Sequence, residues 1–230
     1  MPFSNDPASP LKDEPAQVDA FSPGPSSDAS VPAQPILIDR IFCTSPPTGP
    51  LRQSEILASV IQRRRTLRSL LPNIAPEISE IRHPLAIIIS QDCDLERDYE
   101  FRSSRIADEV DPSSDKILPS VLLCEVITAD ELLTLVPKGK DIWKRIIQNK
   151  DERYHVLSQV SPTSDAAGQG LPAMGIDFKR HFSIFTDELY TQLRMGVGRR
   201  CCLNSPYLEH LSSRFANYLS RVGLPLDHTV

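Results

Sequence analysis

The sequence predicts an α+β fold: a small curved β-sheet or partly closed barrel, with short helical inserts and a C-terminal packing helix. An unbroken apolar run at residues 85–89 and a second apolar segment at 121–127 have the composition of strands buried on both faces. Strand-like and helix-like segments are mixed without the regular alternation of a doubly wound sheet. The last segment, residues 206–222, repeats apolar residues at three- and four-residue steps, which is typical of a packing helix.

The first 35 residues differ in composition from the rest of the chain. They contain eight prolines among Ser, Ala, Asp and Gln, and five acidic residues against Lys12 alone. Such a segment cannot bury enough apolar surface to offset the entropy of ordering its backbone, so residues 1–35 are predicted to be a disordered tail. Residues 36–230 are predicted to form a single globular domain, since the chain is 40% hydrophobic and long enough to bury one core.

The predicted domain is nearly neutral, because most of the net charge of −5 lies in the tail. A neutral domain lacks the basic footprint typical of nucleic-acid binding, so a protein partner is the first expectation and nucleic acid the second. The five cysteines are irregularly spaced and the N-terminus has no secretion signal, which indicates a reducing, cytoplasmic setting. No apolar run approaches the roughly 20 residues that span a bilayer, so no membrane segment is expected. No cofactor is indicated.

The first part of the domain is predicted to contain a strand, a helix and then the central strand. Residues 36–42 favour a strand, which ends before a Pro-Pro-Thr-Gly turn. Residues 53–68 favour a helix, whose end is basic and is interpreted as a solvated terminus or as a phosphate contact. The residues behind this helix prediction are the apolar Ile56, Leu57, Val60 and Ile61 and the basic Arg63, Arg64, Arg65 and Arg68.

The second part is predicted to alternate loops, strands and short helices. Residues 96–116 are dense in charge and favour a surface loop. Thr128 and Glu131 form a capping-box pattern at the start of a helix that runs to residue 136, and a second helix covers 141–149. The remaining predictions are strands at 153–157, 174–178, 182–185 and 199–204, a loop at 158–173, a helix at 186–194 capped by Thr186, and a final helix capped by Asn204 or Ser205.

The strongest chemical candidate is the sequence Asp92-Cys93-Asp94, which follows the central strand and is itself followed by Glu96. Paired carboxylates bind hard cations such as Mg²⁺ or divide acid and base roles, so Asp92 and Asp94 are candidate metal ligands and catalytic groups. Cys93 is a candidate nucleophile, although the neighbouring negative charge disfavours its thiolate. In the structural alternative the acids cap the following turn and Cys93 packs as a small hydrophobe.

His155, His181 and the adjacent Cys201-Cys202 are the other candidates. His181 completes the predicted catalytic set, and either histidine forms a Cys–His pair if folding brings it to Cys93. A zinc site of Cys93, His181 and Cys201 is a further alternative, as is a purely structural role for each histidine. The chain has no phosphate-binding glycine loop, Gly-x-Ser-x-Gly or His-Glu-x-x-His motif, which disfavours the common NTPases and hydrolases.

Two resemblances extend this interpretation. Residues 88–95, Ile-Ile-Ser-Gln-Asp-Cys-Asp-Leu, resemble a set of uncharacterised bacterial proteins that carry an SQ-x-CD-[IL] strand end and finish in R-V-G-L-P, as residues 221–225 do here. The variable loop before an apolar strand that ends in Ser also resembles the small barrel of the MazF/PemK toxins, which are ribonucleases. Ser54-Glu55 stands where those toxins have Gly-Asp, and no position matches their basic catalytic residue. The first resemblance implies no activity.

The first functional expectation is a cytoplasmic, bacterial-type accessory protein that binds a partner without turnover, because no catalytic set is recognisable. The alternative is a nuclease-like hydrolase that uses Asp92, Asp94 and His181 at the end of the central strand. A third option is a structural subunit that dimerises through the C-terminal helix.

Overall fold

The computed structural model describes residues 40–66, 77–104, 114–136 and 139–221. The predicted tail and residues 36–39 of the predicted first strand lie outside these ranges. In chain order the elements are β1 (Phe42–Thr44), β2 (Ile56–Thr66), β3 (Glu77–Ile88), α1 (Asp92–Ser103), β4 (Ser120–Thr128), α2 (Ala129–Leu135), α3 (Lys140–Ile147), β5 (Tyr154–Leu157), β6 (Met174–Phe185), α4 (Thr186–Arg194), β7 (Gly198–Leu203) and α5 (Tyr207–Leu219).

The seven strands form one sheet in the order β1-β7-β2-β3-β4-β6-β5, and all neighbours are antiparallel. The α+β prediction is therefore confirmed. Within the described residues the sheet stays open, with β1 and β5 at its edges, rather than closing into a barrel. No described helix is long and apolar enough to cross a membrane.

The central strands are buried on both faces, as the apolar runs predict. In β3 and the residue after it, Ala86, Ile87, Ile88 and Ile89 are at most 7% exposed. Ala86 and Ile88 pack with Leu95 of α1 and Leu189 of α4, whereas Ile87 and Ile89 pack with Leu211 and Phe215 of α5. The sheet therefore lies between α1 and α4 on one face and α5 on the other.

The helix predicted at residues 53–68 is wrong, because Ile56–Thr66 is strand β2. Leu57 and Val60, three residues apart, both pack in the core on the α1–α4 face, which strict strand alternation forbids. Ser59 between them has a left-handed backbone with φ 64°, and this local break brings both side chains to the same face. The break also produces the helix-like spacing of apolar residues in the sequence.

The surface loop predicted at residues 96–116 is also wrong over its first part, since α1 runs from Asp92 to Ser103. The inward stripe of α1 contains Leu95 and the carboxylate of Asp98, which is 1% exposed. Asp98 accepts hydrogen bonds from Arg102 Nε at 2.8 Å and from the Leu118 backbone N–H at 2.9 Å. Because polar groups occupy the stripe, the sequence has no apolar helical pattern here. Residues 105–113 lie outside the described ranges.

Residues 174–185 form one strand, β6, where two short strands are predicted. Its register against β4 changes between the pair Cys124–His181 and the pair Val126–Ile176. Between these two pairs the chain advances five residues along β6 but only two along β4. A shift by an odd number reverses the faces of a strand. Phe178 consequently packs on the α5 face and Phe182 on the α1–α4 face.

The strand predicted at residues 36–42 shares only Phe42 with β1 among its described residues. Most of the remaining elements are confirmed within one or two residues at each end. The capping box at the start of α2 is present, with Thr128 and Glu131 bonding to each other's backbone N–H groups. Thr186 does not cap α4; its hydroxyl donates to the Leu118 carbonyl at 2.5 Å. The cap of α5 is Pro206, without a side-chain hydrogen bond, rather than Asn204 or Ser205.

Two side-chain amides form hydrogen bonds with backbone N–H and C=O groups at strand edges that have no neighbouring strand among the described residues. Gln192 of α4 accepts from the Ile61 N–H at 2.9 Å and donates to the Ile61 carbonyl at 2.7 Å, beyond the point where β7 stops pairing with β2. Asn149 makes the same pair of bonds to Val156 in β5, at 2.7 and 3.0 Å. Each amide replaces one residue of a missing strand and blocks further pairing at that position.

Asp165 organises the loop between β5 and β6. Its buried carboxylate accepts two hydrogen bonds of 2.7 Å from Arg200 and further bonds from the backbone N–H groups of Ala167, Gln169 and Gly170. The Arg200 guanidinium, aided by these N–H groups, lowers the pKa of Asp165 to about 2. The ionised form therefore stabilises the fold.

Gly175 of β6 provides a test of the contact between α2 and the sheet. A Cβ at this position would lie 2.5 Å from Leu132 Cδ2 and 3.0 Å from Leu132 Cβ. We expect Gly175→Ala to lower the free energy of unfolding by about 1–3 kcal/mol in urea titrations, because overpacking displaces Leu132. Gly198→Ala is the control, since its Cβ would meet only Ala58 Cβ at 3.8 Å. Equal stabilities of the two variants would contradict this packing.

A second test follows from the lowered pKa of Asp165. Its stabilising contribution is complete above the ordinary value of 3.8 and is lost as the pH falls towards 2. We expect Asp165→Asn to be less stable than the parent chain at about pH 7, and the difference to narrow towards about pH 2. Asp115→Asn is the control, because that carboxylate is 79% exposed. Chemical denaturation at both pH values measures the change, and a constant difference would count against the Arg200 contact.

Candidate ligand-binding cleft

The loop at residues 45–55 joins β1 to β2 and is held by a buried ion pair. The Glu55 carboxylate, 0% exposed, accepts from Arg199 Nε at 2.5 Å and from Nη2 at 2.9 Å. The same guanidinium donates to the backbone carbonyls of Gly49 at 3.1 Å and Pro50 at 2.7 Å. Because Arg199 reaches three points of the loop, the loop forms a fixed wall beside β7.

A cleft of about 940 Å³ lies between this wall and the helices α1 and α4. It is lined by the loop at 47–49, the last turn of α1, Ile117 and Pro119 before β4, one side of α4, and Arg199. The rim is exposed and includes Asp187, Thr191 and Arg194, whereas the floor is partly buried. The cleft is thus assembled from segments that are far apart in the chain.

The floor of the cleft is aromatic and apolar. The rings of Tyr99 and Tyr190 lie 6.1 Å apart at an angle of 46°, and Ile117 and Leu193 continue the same partly buried surface. Burial raises the pKa of Tyr190 to about 12, so its phenol stays neutral at pH 7. Tyrosine presents a rigid apolar ring with a polar end, which suits it to binding surfaces.

Arginine side chains supply positive charge around this floor. Arg102 is engaged by Asp98 and also donates to Asp187, and Arg199 is engaged by Glu55. Arg194 differs, since its hydrogen bond is to the Thr191 hydroxyl at 3.2 Å. Among the described residues, no carboxylate lies within ion-pair distance of Arg194. This guanidinium is therefore the cation at the rim that is open to an anionic group.

Asp92 lies in the first turn of α1 and is fastened to the loop. Its carboxylate accepts from Arg52 at 2.9 and 3.1 Å and from the Gln53 backbone N–H at 2.6 Å. Although partial burial acts to raise it, the pKa of Asp92 is lowered by these hydrogen bonds. The carboxylate also lies at the positive end of the helix dipole, and it ties α1 to the loop rather than capping the backbone of the helix.

Cys93 and Asp94 are exposed on the same turn. The Cys93 Sγ lies 3.6 Å from Gln91 Oε1 and 3.9 Å from Asp94 Oδ1. The next residue, Leu95, is 1% exposed and packs into the core. The sequence Asp92-Cys93-Asp94 is therefore at the surface, and its catalytic and metal-binding roles stay predictions.

His181 is placed away from the acidic cluster. Its Nδ1 lies 2.8 Å from the Phe178 carbonyl oxygen, and its ring meets Phe215 edge-on at 5.7 Å, on the face covered by α5. The acidic cluster begins α1, which packs on the opposite face. Among the described residues, no hydrogen bond, ion pair or ring contact joins His181 to Asp92, Cys93 or Asp94.

His155 is 3% exposed in β5, where its ring lies 5.4 Å from His210 and 6.1 Å from Phe178. Burial lowers the pKa of His155 to about 3, so the ring is neutral at pH 7. Cys201 and Cys202 are both buried, and burial raises the pKa of Cys202 to about 12. Over the described ranges, no three His, Cys, Asp or Glu side chains come close enough to hold a metal ion.

Sequence reasoning missed the cleft. Tyr99 and Arg102 lie in a segment predicted as a loop, and Tyr190 lies in the helix predicted at residues 186–194, where no site is predicted. One available signal is the pair Asp98 and Arg102, whose four-residue spacing is typical of a helical ion pair. Nothing in that spacing shows what the helix faces.

Comparison with known proteins adds no relative: no family model, no curated protein and no solved structure matches this chain. The two resemblances in the sequence stay predictions.

The buried Glu55–Arg199 pair gives a test of how the cleft wall is held. We expect Arg199→Met to lower the free energy of unfolding by about 3–5 kcal/mol, because it leaves the Glu55 carboxylate buried without its partner. Arg52→Met should cost about 1 kcal/mol or less, since Arg52 is 53% exposed in its pair with Asp92. Urea unfolding measures both.

The double variant Glu55→Gln with Arg199→Met tests whether the two side chains stabilise the fold through their contact with each other. We expect it to be more stable than Arg199→Met alone, because the unpaired charge is gone. Additive losses would contradict the direct coupling of the two groups.

Proposed function

We propose that this chain is a cytoplasmic, bacterial-type accessory protein that binds a segment of a partner protein in the α1–α4 cleft, without turnover. The observation that carries the proposal is the cleft itself: an aromatic floor of Tyr99 and Tyr190 beside Arg194, which has no carboxylate within ion-pair distance in the described part of the chain. Tyrosine and arginine are the residues most enriched among the energetic anchors of protein interfaces.

The dimensions and chemistry of the cleft define the segment that fits it. A volume of about 940 Å³ is near the upper end of the range for ligand pockets, which run from about 300 to 1,000 Å³. An apolar side chain of the partner packs against Tyr99, Tyr190 and Leu193. A carboxylate of the partner pairs with Arg194, where it forms a charge-assisted hydrogen bond. The expected segment therefore combines an apolar anchor with an acidic residue.

Binding without turnover is supported by the state of the predicted catalytic groups. Asp92 is occupied by Arg52 and Gln53, and His181 contacts Phe178 and Phe215 on the other face of the sheet. None of these groups lines the cleft.

The alternative, a nuclease-like hydrolase at the acidic cluster, keeps one supporting observation, which is the exposure of Cys93 and Asp94. Nuclease assays with Mg²⁺ or Mn²⁺ on the parent chain and on Asp94→Ala test it directly. A metal-dependent activity that the substitution abolishes in a folded protein would replace the binding proposal.

Selection from a displayed peptide library tests the cleft. We expect enriched peptides to share an acidic residue near an aromatic or branched apolar residue. Their affinity, measured by calorimetry, should fall roughly tenfold or more in Arg194→Glu, because a charge-assisted hydrogen bond contributes about 1.5–3 kcal/mol. Arg145→Glu is the matched control, since both arginines are exposed in the last turn of a short helix.

The proposal is overturned if no acidic motif is enriched, or if the selected peptides bind Arg194→Glu and the parent chain equally. Equal losses in Arg194→Glu and Arg145→Glu would show attraction to overall charge rather than binding in the cleft. Tyr99→Ala provides a second measurement, because it removes part of the floor and leaves the net charge unchanged.

A further inference from the structure

Strands β2 and β3 extend beyond the rest of the sheet. β7 pairs with β2 only at residues 56–58, and β4 pairs with β3 only at residues 85–88. Among the described residues, 60–66 and 77–83 therefore have no strand partner but each other, and they form a two-stranded antiparallel segment called the ribbon below. At about 3.4 Å per residue, its seven pairs extend for roughly 20 Å.

The ribbon is the place where the chain concentrates exposed arginine. It carries Arg63, Arg64, Arg65 and Arg82, all exposed, against two glutamates, Glu77 and Glu80. Arg63 is engaged by Glu80 and Glu188, each at 3.2 Å. For Arg64, Arg65 and Arg82, no carboxylate of the described residues lies within ion-pair distance. Three cations of the ribbon are thus open to an external anion.

One face of the ribbon combines charge with an exposed apolar residue. In an antiparallel ladder, directly opposite residues point to the same face, and alternate residues along a strand share it. Arg65 is opposite Ile78 and Arg82 is opposite Ile61, so Arg65, Arg82 and Ile78 project together, whereas Arg64 projects from the other face. Ile78 is 69% exposed, so this face presents an apolar side chain beside the two arginines.

We propose that the ribbon is a docking surface for double-stranded DNA, with Arg65 and Arg82 on phosphates. A polyanion complements two guanidinium groups that have no carboxylate within ion-pair distance among the described residues, and arginine binds phosphate in a bidentate geometry. The major groove of B-form DNA, about 12 Å wide, admits a two-stranded β-ribbon, whereas the major groove of A-form RNA is too narrow. Ile78 then meets the apolar edge of a base, such as a thymine methyl group.

The net negative charge of the whole chain does not prevent DNA from binding to the ribbon. Most of the net charge of −5 lies in residues 1–35, and the ribbon itself carries four arginines against two glutamates. At physiological ionic strength, exposed charges more than about 8 Å apart are largely screened. The local field of the ribbon therefore decides the contact with phosphate, and the affinity depends strongly on salt.

Fluorescence anisotropy of the full chain with a labelled duplex of about 20 base pairs, roughly two helical turns, tests the proposal. Two phosphate contacts, from Arg65 and Arg82, predict a slope of about −1.8 in log K against log salt, which is a roughly 12-fold loss of affinity from about 50 to about 200 mM salt. The variant Arg64→Gln, Arg65→Gln, Arg82→Gln should lose this slope. Because the three side chains are exposed, the variant should keep the free energy of unfolding of the parent chain, which urea titration measures.

The matched control is Arg97→Gln, Arg145→Gln, Arg221→Gln, which removes the same charge from exposed positions in α1, in α3 and after α5. This control should bind DNA as the parent chain does. Equal losses in the two triple variants, or no DNA binding at low salt, would overturn the proposal. Duplex RNA that binds as tightly as DNA, or more tightly, would also overturn the proposal. Polyglutamate that binds as tightly as DNA, with the same salt dependence in the ribbon variant, would do so too. Arg194→Glu, which alters the cleft, should leave DNA binding intact. The result for the ribbon is therefore independent of whether the cleft binds a protein segment.

Discussion

The buried ion pair of Glu55 and Arg199 is the interaction on which the surrounding structure depends. Around it, the Glu55 backbone N–H donates to the Arg52 carbonyl, its own carbonyl accepts from Ile88, and Ser54 donates to the Ile88 carbonyl. The turn at residues 52–55 is thereby tied to the end of the central strand and to β7. Since Arg52 and Gln53 of the same turn hold Asp92, the start of α1 is fixed as well. A buried charge pair of this kind specifies geometry, because either partner alone is costly in the interior.

The sequence predicts the parts of this fold whose local pattern agrees with their tertiary role. The run at residues 85–89 is uniformly apolar and β4 is largely so, because both faces of these segments are covered, and the capping box of α2 needs only Thr128 and Glu131. Where the backbone breaks its own period, the sequence misleads. The left-handed Ser59 gives β2 the spacing of a helix, and the register shift in β6 divides one strand into two apparent ones. The sequence pattern does not predict helix α1, because the polar residues Asp98 and Arg102 occupy its inward stripe.

The site is less accessible to sequence reasoning than the fold. Asp92-Cys93-Asp94 attracts attention because chemically capable residues are adjacent, yet adjacency along a helix turn points side chains in different directions. Asp92 turns to Arg52 whereas Cys93 and Asp94 face solvent. The residues of the cleft come instead from a loop, two helices, the segment before β4 and the start of β7, and tertiary packing alone brings them together. The basic run at residues 63–65 was visible in the sequence, but its meaning changes when a helix end becomes a projecting ribbon.

Helix α4 separates the two proposed binding surfaces. At 100° per residue, Glu188 and Gln192 lie on one side of the helix, where they contact Arg63 and Ile61 of β2. Tyr190, Thr191 and Arg194 lie on another side and line the cleft. Between these sides Leu189, 0% exposed, anchors the helix in the core. A helix held by its core residue and by two polar contacts to β2 does not need to move when either surface is occupied. The ribbon and the cleft are therefore expected to bind their partners independently, because a coupling free energy requires an element that changes state between them.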